Sequence, residues 1–309
     1  MRVLKRLGKV LSLLALVLGV SAIMSTSVMA DERPDYRLQV SPSKLELDLA
    51  PGKTVEKSFQ VQNTGNKEFG FTIEASVYSV ADENYDPDYN ATSTYTDLAK
   101  WVTFSQTEGT VGPNETVKID VRVDVPKDIP AGGQYAAIMV TMVRDDEEDG
   151  GQGVSIGTIQ RIGLVMYSTV EGGNTRREGK IIDNKVASFR FNPPITATST
   201  VENTGNVHAT ATYILQVYPL FSSEEVYSNE ENPETGIILP ETKRYNEVSW
   251  PDAPHLGIFK VKQTVKFLNE EKVTEKLVFL CPIWFLFIIL LLIFAIVFWI
   301  VSRVRGRRA

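Results

Sequence analysis

Cysteine and histidine are almost absent from this chain of 309 residues. The sequence contains one cysteine, Cys281, and two histidines, His208 and His255. A single cysteine excludes an intrachain disulfide, and its place at the edge of an apolar segment excludes a catalytic Cys–His pair elsewhere in the chain. Structural zinc sites are built mostly from these two residue types, so no zinc cluster is expected. We expect no cofactor.

Recognisable catalytic patterns are missing too. Acidic residues are plentiful, with 38 Asp and Glu, but nothing singles out two of them as the carboxylate pair of a glycoside hydrolase. No motif places a nucleophile beside a base. The protein is therefore predicted not to be an enzyme, and a hydrolase acting on wall glycan is the least favoured alternative.

A basic surface is also lacking between the two ends of the chain. The first 30 residues and the last eight hold four basic residues each and no acidic ones, which leaves 24 basic against 38 acidic residues between them. The net charge of that part is about −14, which repels polyanions. No nucleic-acid partner is expected.

One long uncharged segment dominates the C-terminal end. Residues 277–301 contain no charge, and as a helix they would be roughly 37 Å long, against roughly 30 Å for the hydrocarbon core of a bilayer. Trp284 and Trp299 lie towards its two ends, where the headgroup region favours amphipathic rings. Residues 302–309 form a basic tail of the kind that stays in the cytoplasm. The segment is predicted to be a transmembrane helix within the lipid bilayer.

The N-terminal end has the three parts of a secretory signal peptide. Basic residues precede an apolar run, and Val28-Met29-Ala30 resembles a cleavage site, so residues 1–30 are predicted to be a signal peptide. The two ends together predict a single-pass protein of the cell membrane, with residues 31–276 extracellular and the tail cytoplasmic. An exported chain without disulfides is typical of a bacterial surface, and a Gram-positive one is favoured.

An internal repeat divides the exported part. Val61-Gln-Asn-Thr-Gly-Asn66 recurs 140 residues later as Val201-Glu-Asn-Thr-Gly-Asn206, and Val77-Tyr78 recurs in the same register as Val217-Tyr218. Further along, Pro113-Asn-Glu-Thr is echoed by Pro240-Glu-Thr. A duplicated domain is the simplest explanation. The second echo also lies within Leu239-Pro-Glu-Thr-Lys243, which resembles a sortase signal, but Lys243 and the distance to the apolar segment favour a turn between strands.

The repeated units have the alternation of β-strands. Apolar residues occupy every second position in several segments, as in the run from Val117 to Val125 and the run from Ala209 to Val217. Alternation with one apolar face is typical of antiparallel sheets, and Asn-Thr-Gly-Asn suits a hairpin turn. The chain is therefore predicted to be all-β, with two tandem immunoglobulin-like β-sandwiches and a C-terminal transmembrane helix. The predicted boundaries are 31–172 for the first sandwich, 173–178 for a linker and 179–276 for the second sandwich.

A tyrosine-rich polar loop is the candidate binding surface. Tyr85, Tyr89 and Tyr95 lie within residues 81–100, and loops at the end of a sandwich often carry binding residues. Trp101, which follows the loop and begins an apolar alternation, is expected to be buried instead.

The same loop contains a weak candidate for calcium. Asp82, Asn84, Asp86 and Asp88 place oxygen ligands at alternate positions, but the glycine and the bidentate glutamate of a calcium loop are missing. A solvated loop is favoured. The acidic run of residues 145–149 is likewise expected to face solvent, with a basic partner as the alternative.

The order of these parts resembles the Gram-positive surface proteins that interact with WxL proteins. The shared features are Leu49-Ala-Pro-Gly-Lys53, the Val61-Gln-Asn-Thr-Gly turn, Glu115-Thr-Val-Lys118 after Pro113, Val125-Pro126 leading to Gly132-Gly133, the strand Arg161-Ile-Gly-Leu-Val-Met-Tyr167 and the Val201-Glu-Asn-Thr-Gly turn. The resemblance implies a first sandwich that binds cell-wall peptidoglycan and a second that binds a surface protein or host matrix.

Two functions are weighed on these grounds. The first is a non-enzymatic, membrane-anchored surface protein that docks to peptidoglycan, to a surface protein, or to both. The second is the extracytoplasmic subunit of a membrane protein complex, recruited through its helix and through exposed strand edges.

Overall fold

The computed structural model of the protein describes residues 34–144 and 160–306. Strands of a first sandwich run from Leu38 to Val170, strands of a second from Gly179 to Leu280, and a helix follows. The first group comprises β1 (Leu38–Ser41), β2 (Lys44–Leu49), β3 (Thr54–Asn63), β4 (Phe69–Val77), β5 (Ser79–Val80), β6 (Pro87–Asp88), a 3-10 helix (Asp97–Lys100), β7 (Val102–Phe104), β8 (Glu108–Val111), β9 (Thr116–Asp124), β10 (Gly132–Val143) and β11 (Arg161–Val170). The second group comprises β12 (Gly179–Val186), β13 (Phe189–Arg190), β14 (Ile195–Asn203), β15 (Ala209–Pro219), β16 (Tyr227–Ser228), β17 (Glu234–Ile238), β18 (Lys243–Trp250), β19 (Gly257–Phe267), β20 (Glu270–Leu280) and the helix α1 (Ile283–Gly306).

The first sandwich packs a four-stranded sheet on a five-stranded one. The strand orders are β1-β3-β9-β7 and β2-β11-β10-β4-β8, and every pair is antiparallel except β2 with β11. Within the five-stranded sheet, β10 pairs with β11, with Gly132 opposite Val170 and Thr141 opposite Arg161.

Alternation places the core of the first sandwich between its two sheets. Phe59 and Val61 from β3 and Ile119, Val121 and Val123 from β9 are all buried, whereas the residues between them face solvent. The opposite sheet completes the core with Phe69, Phe71, Ile73, Ala136, Ile138 and Val140. Each buried side chain of this size contributes about 1.5–3 kcal/mol of transfer free energy. Trp101, predicted to be buried, is only half-buried and packs against the edge of this core.

The second sandwich repeats the arrangement. A three-stranded sheet, β12-β14-β18, faces a larger sheet, β13-β20-β19-β15-β16, in which β17 also pairs with β15. As in the first sandwich, the first strand lies in the smaller sheet and the second pairs in parallel with the last strand of the larger sheet. The predicted apolar face of β15 is confirmed, since Ala211, Tyr213, Leu215 and Val217 are fully buried. The predicted fold, two immunoglobulin-like sandwiches and a C-terminal helix, is confirmed.

The Asn-Thr-Gly-Asn segments do not form the predicted hairpin turns. β3 and β4 belong to opposite sheets, as do β14 and β15, so each turn carries the chain across the end of the sandwich. The glycine is required for space, because a Cβ at Gly65 would lie 2.1 Å from the carbonyl oxygen of Asp35, and one at Gly205 would lie 2.3 Å from that of Arg176. The prediction was wrong because local turn chemistry does not say which sheet receives the next strand.

The second repeated motif, Pro113-Asn-Glu-Thr and Pro240-Glu-Thr, forms a similar turn in each sandwich. Asn114 and Glu241 both have a backbone φ of 59°, in the left-handed region. The backbone N–H of Asn63 donates to Glu115 O at 3.1 Å, and that of Asn203 donates to Thr242 O at 3.0 Å. The segment that resembles a sortase signal is therefore an inter-strand turn, between β17 and β18, as predicted.

The helix begins later than residue 277, where it was predicted to start. Residues 277–280 belong to β20, in which Val278 and Leu280 fill the second core while Leu277 and Phe279 face outward. An uncharged run therefore contains the end of a strand as well as a helix, and composition alone does not separate the two. The chain leaves the sheet at Cys281-Pro282, and proline at this point suits the first turn of a helix because its missing N–H would have no partner there. The predicted signal peptide, the acidic run and the end of the basic tail lie outside the described residues.

Candidate functional site

The tyrosine-rich loop is held by turns that its own side chains build. β5 and β6 form a two-residue ladder, and the 3-10 helix that follows buries Leu98 in the first core. The Asp82 carboxylate accepts a hydrogen bond from the Asn84 N–H at 2.8 Å, and Asp88 does the same for Asn90 at 2.8 Å. Such bonds are the usual way in which aspartate stabilises a turn.

The calcium candidate in this loop does not come together as a metal site. Within residues 34–144 and 160–306, no group of three or more His, Cys, Asp or Glu side chains lies where it could hold a metal ion. The carboxylates of Asp82 and Asp88 are instead engaged with backbone N–H groups two residues further on. This arrangement favours the interpretation of a solvent-facing turn.

Tyr85 reaches from this loop into the second sandwich. Its hydroxyl accepts a hydrogen bond from the Leu239 N–H at 2.7 Å and lies 2.6 Å from Oγ1 of Thr242. The guanidinium carbon of Arg244 lies 4.4 Å from the centre of its ring, which is close enough for a cation–π interaction. Burial is the main reason why the pKa of Tyr85 is raised above its usual value. Tyr85 itself has a φ of 70°, in the left-handed region.

Tyr95 and Tyr89 lie beside Tyr85. The Tyr95 hydroxyl donates to the carboxylate of Glu241 at 3.1 Å, again in the second sandwich. The ring of Tyr89 lies 6.3 Å from that of Tyr78 and packs in the same cluster. We call this group of side chains the tyrosine cluster; it consists of Tyr78, Tyr85, Tyr89, Tyr95, Tyr135, Tyr167, Met139 and Leu239.

His208 closes the other side of the cluster. Its ring lies 5.6 Å from that of Tyr135 and 5.5 Å from that of Tyr167, and Nδ1 lies 3.3 Å from the Tyr135 hydroxyl. Burial lowers the pKa of His208, with further lowering from Arg177 and Lys44 and opposition from Glu46 and Asp48. The imidazole is therefore neutral at pH 7, which agrees with its packing between two aromatic rings.

Backbone contacts add to this contact between the sandwiches. The Gly133 N–H donates to Asn206 O at 2.7 Å, and the Tyr245 N–H donates to Glu83 O at 2.7 Å. Asn206 belongs to the repeated Asn-Thr-Gly-Asn segment, and its side-chain amide also donates to Ala131 O at 3.3 Å. The two sandwiches are thus joined by aromatic packing and by hydrogen bonds that cross between them.

Of the three tyrosines predicted to bind a ligand, Tyr85 and Tyr95 contact the second sandwich, and Tyr89 packs beside them on Tyr78. The prediction that they contact a molecule from outside the chain stays a prediction. Sequence reasoning missed Thr242 and Arg244, which contact Tyr85 from 157 and 159 residues further along the chain. It also missed His208, which packs on Tyr135 and Tyr167 in the same cluster. The repeated motif at Pro240-Glu-Thr was the one sequence feature that pointed to this region. It predicted the turn but not that the tyrosine-rich loop packs on it.

A polar, exposed face covers the four-stranded sheet of the first sandwich. Along β3 and β9 the outward residues are hydroxyl, amide or charged, and opposed pairs such as Gln60 with Lys118 lie side by side. The members are Thr54, Glu56, Ser58, Gln60, Gln62, Thr116, Lys118, Asp120, Arg122 and Asp124. Arg122 pairs with Asp124 at 2.9 Å and donates to Thr54 at 3.3 Å, which orders one end of this polar face.

A cleft of about 430 Å³ opens in the second sandwich. Arg190 and Lys276 line it from the larger sheet, with Thr196 and Thr198 from β14. Hydrogen bonds from the Arg190 guanidinium to Thr196 and from the Thr274 hydroxyl to Asn184 O close part of it. Its lining therefore carries the positive charges of Arg190 and Lys276.

No family model matches the chain, and no similar protein is found among curated sequences. Among solved structures, it is similar to the SafA pilin–SafB chaperone complex of Salmonella enterica, with a TM-score of 0.41 and 9% identity over 80% of this chain and 97% of that one. It is also similar to the CsuC–CsuE chaperone–tip subunit complex of Acinetobacter baumannii (0.40; 10%; 78% and 98%) and to the E. coli chaperone DraB (0.35; 12%; 78% and 97%).

Proposed function

We propose that this protein is a non-enzymatic binding protein of the cell surface, anchored by α1 in the membrane, that docks to peptidoglycan through its first sandwich. Anchoring of the protein in the membrane is supported by one observation. α1 contains a segment, Ile283–Arg303, that is long and apolar enough to span a bilayer, and its most apolar stretch is not buried against the described part of the chain. A helix with large apolar side chains on all sides needs a lipid or protein environment to cover it.

The position of α1 also orients the two sandwiches. α1 follows the end of β20, whereas the residues of the second sandwich that meet the first lie at the opposite ends of its strands, near Asn206, His208 and Thr242. The first sandwich is therefore attached to the membrane-distal end of the second. The four arginines at the end of α1 and directly after it support a cytoplasmic C-terminus.

Docking to peptidoglycan is supported by the resemblance described above and by the polar face of the first sandwich. Glycan and peptide stems offer hydroxyl, amide and carboxylate groups, which pair with side chains such as Gln60, Lys118 and Arg122. With a net charge of about −14 on residues 31–276, attraction to anionic wall polymers through charge alone is excluded, so the contacts must be specific.

The test is sedimentation of the full chain, held in lipid nanodiscs, with isolated peptidoglycan freed of teichoic acid. Co-sedimentation that survives moderate salt supports the proposal. The double variant Gln60→Ala/Lys118→Ala should reduce it several-fold. The matched control is Lys180→Ala/Glu202→Ala, which removes a cross-strand pair, 3.1 Å apart, of an exposed lysine and a half-buried glutamate from the second sandwich. Protein left wholly in the supernatant would overturn docking to peptidoglycan.

A subunit of a membrane protein complex is the second candidate, and the open edge of β18 favours it. Among residues 34–144 and 160–306, β18 pairs with β14 on one side and with no strand on the other. On its other side, the Tyr245 N–H is bonded to Glu83 O and Ser249 O accepts from the Tyr227 hydroxyl. Between these two points, the backbone of Glu247 faces the same open side, where a strand of another protein could add. Copurification of one stoichiometric membrane partner, lost on Glu247→Pro but retained on Glu271→Pro at the start of β20, would favour this function.

A further inference from the structure

Exposed apolar side chains gather at one end of the second sandwich. Phe221 is 97% exposed, and the five others are between 38% and 46% exposed. We call this group the basal rim; it consists of Phe189, Phe191, Phe221, Leu256, Ile258 and Phe279. Single exposed apolar residues are ordinary on a protein surface, but a cluster of six with four phenylalanines marks a surface that contacts something apolar.

The strand register places the basal rim beside the start of α1. Phe279 lies opposite Phe189 on one side and opposite Ile258 on the other, two residues before the chain leaves β20. The Cys281 N–H donates to Arg190 O at 3.0 Å, so β13 ends level with the junction to the helix.

The loops of the basal rim emerge at the same end. The chain leaves β15 at Pro219, which is opposite Phe259, and the Leu220 N–H donates to Ile258 O at 3.2 Å. Phe221 follows directly. Leu256 comes immediately before β19, whose first residue, Gly257, lies opposite Leu280.

Polarity on the outer face of this sheet changes with distance from α1. The row nearest the helix is Phe189, Phe279 and Ile258, and the next pairs Leu277 with Lys260. One row further, Glu275 lies opposite Lys262 and forms an ion pair with Lys260 at 3.3 Å. Rows on one face are about 7 Å apart, so the surface passes from apolar to charged within about two rows.

The length of α1 sets the depth at which this change occurs. The segment Ile283–Arg303 contains 21 residues, about 32 Å at 1.5 Å per residue, which matches the roughly 30 Å hydrocarbon core. Arg303 then lies at the cytoplasmic boundary and Ile283 at the outer one. Phe279 precedes Ile283 by only four residues, so the row of the basal rim nearest α1 lies close to the headgroup layer, where apolar side chains of interfacial proteins are buried.

We propose that the second sandwich rests on the outer surface of the lipid bilayer, with the basal rim inserted among the headgroups around the start of α1. This inference rests on the proposed membrane anchoring. The occupant is the lipid surface, because the basal rim is continuous with the membrane segment and ends where a charged row begins. An apolar segment of another protein or a second copy of this chain are the competing occupants, and the test separates them.

The experiment uses the full chain with Cys281→Ser, reconstituted in vesicles of phosphatidylcholine and phosphatidylglycerol. Single cysteines carrying an environment-sensitive fluorophore replace Phe221, Glu271 or Leu291, and lipids bearing nitroxides at defined depths serve as quenchers. Glu271 is the matched control, since it is exposed on the outer face of the same sheet at the end far from α1. Leu291 reports whether α1 spans the bilayer.

The expected result is a blue-shifted label at Phe221→Cys, quenched several-fold more by headgroup-level nitroxides than the label at Glu271→Cys, with Leu291→Cys quenched by deep nitroxides. Equal, weak quenching at Phe221→Cys and Glu271→Cys, with Leu291→Cys still quenched, would overturn the inference and leave the anchoring intact. Loss of quenching at Leu291→Cys would instead overturn the anchoring. A blue shift at Phe221→Cys without lipid quenching would also overturn the inference, and it would assign the basal rim to a second copy of the chain where the shift grows with the protein-to-lipid ratio.

Discussion

Asn63 and Asn203 make the same three hydrogen bonds in the two sandwiches. Each side-chain oxygen accepts the N–H of the glycine two residues on, at 2.9 Å, and each amide donates to the carbonyl four residues on, at 2.7 and 2.8 Å. The same amide also bonds a neighbouring strand, at Val111 O in one case and Ile238 O in the other. Both asparagines are fully buried, so the repeated sequence encodes a repeated internal clamp.

Replacing Asn203 with alanine should therefore destabilise the second sandwich. The change leaves buried backbone groups without partners, at about 1–3 kcal/mol for each group that water does not reach. Denaturant unfolding of the detergent-solubilised chain should show a lower midpoint. Asn90→Ala, in the exposed loop, is the control and should leave the midpoint unchanged. Equal midpoints for both variants would contradict the clamp.

Alanine at Gly205 should also destabilise the chain, for a steric reason. Its Cβ would lie 2.3 Å from Arg176 O, so the backbone on one side has to move. Gly173→Ala is the matched control, because a Cβ there meets nothing within 4 Å. We expect thermal unfolding to separate the two variants by several degrees, with Gly173→Ala equal to or slightly above the parent chain since alanine restricts the unfolded state. A tolerated Gly205→Ala would show that the turn relaxes freely.

Two tyrosine-to-phenylalanine changes should have opposite consequences. Tyr85→Phe leaves the Leu239 N–H and the Thr242 hydroxyl without their partner across the contact between the sandwiches, at about 1–3 kcal/mol. Tyr213→Phe removes a buried hydroxyl that has no hydrogen-bond partner among the described residues, so stability should stay equal or rise. Limited proteolysis near residues 171–178 would report loosening of the contact. Identical cleavage rates in both variants would contradict the role of Tyr85.

The contact between the sandwiches should weaken in acid because of His208. Its pKa is lowered in the folded chain, so protons bind more readily to the unfolded state. Stability from this residue is complete above the unfolded pKa of about 6.5 and is lost as pH falls through the folded value. Unfolding midpoints measured from pH 7.5 down to 4.5 should show this loss, and His208→Gln should remove it. His255→Gln, at an exposed position, should leave the profile unchanged.

Alternation of side chains was enough to predict the strands but not their partners. The buried faces of β9 and β15 follow from period-two patterns that need no tertiary information. These patterns do not predict that β4, which follows the turn at Asn63, lies in the other sheet. The same turn residues suit both a hairpin and a crossing between sheets. The end of β20 was hidden for a related reason, since Leu277 and Phe279 are apolar although they face outward.

The tyrosine loop shows where sequence reasoning stopped. Its composition is typical of a binding surface, and the structure does place it on a surface, but the surface is that of the second sandwich. Tyr85 and Thr242 are 157 residues apart, and no local pattern connects them. The basal rim was equally hidden, because its residues come from four separate segments that only the sheet brings together.

Only Cys281 and Pro282 separate β20 from α1, and this short junction has a mechanical consequence. A pull between the membrane and the first sandwich acts along β20, whose eleven residues pair with β19 from Gly257–Leu280 to Phe267–Glu270. Force directed along a strand loads its hydrogen bonds together in shear, whereas force across the strand would open them one at a time. If α1 is anchored as proposed, tension between the membrane and the first sandwich would therefore load the ladder of β19 with β20, the longest in the chain's described residues.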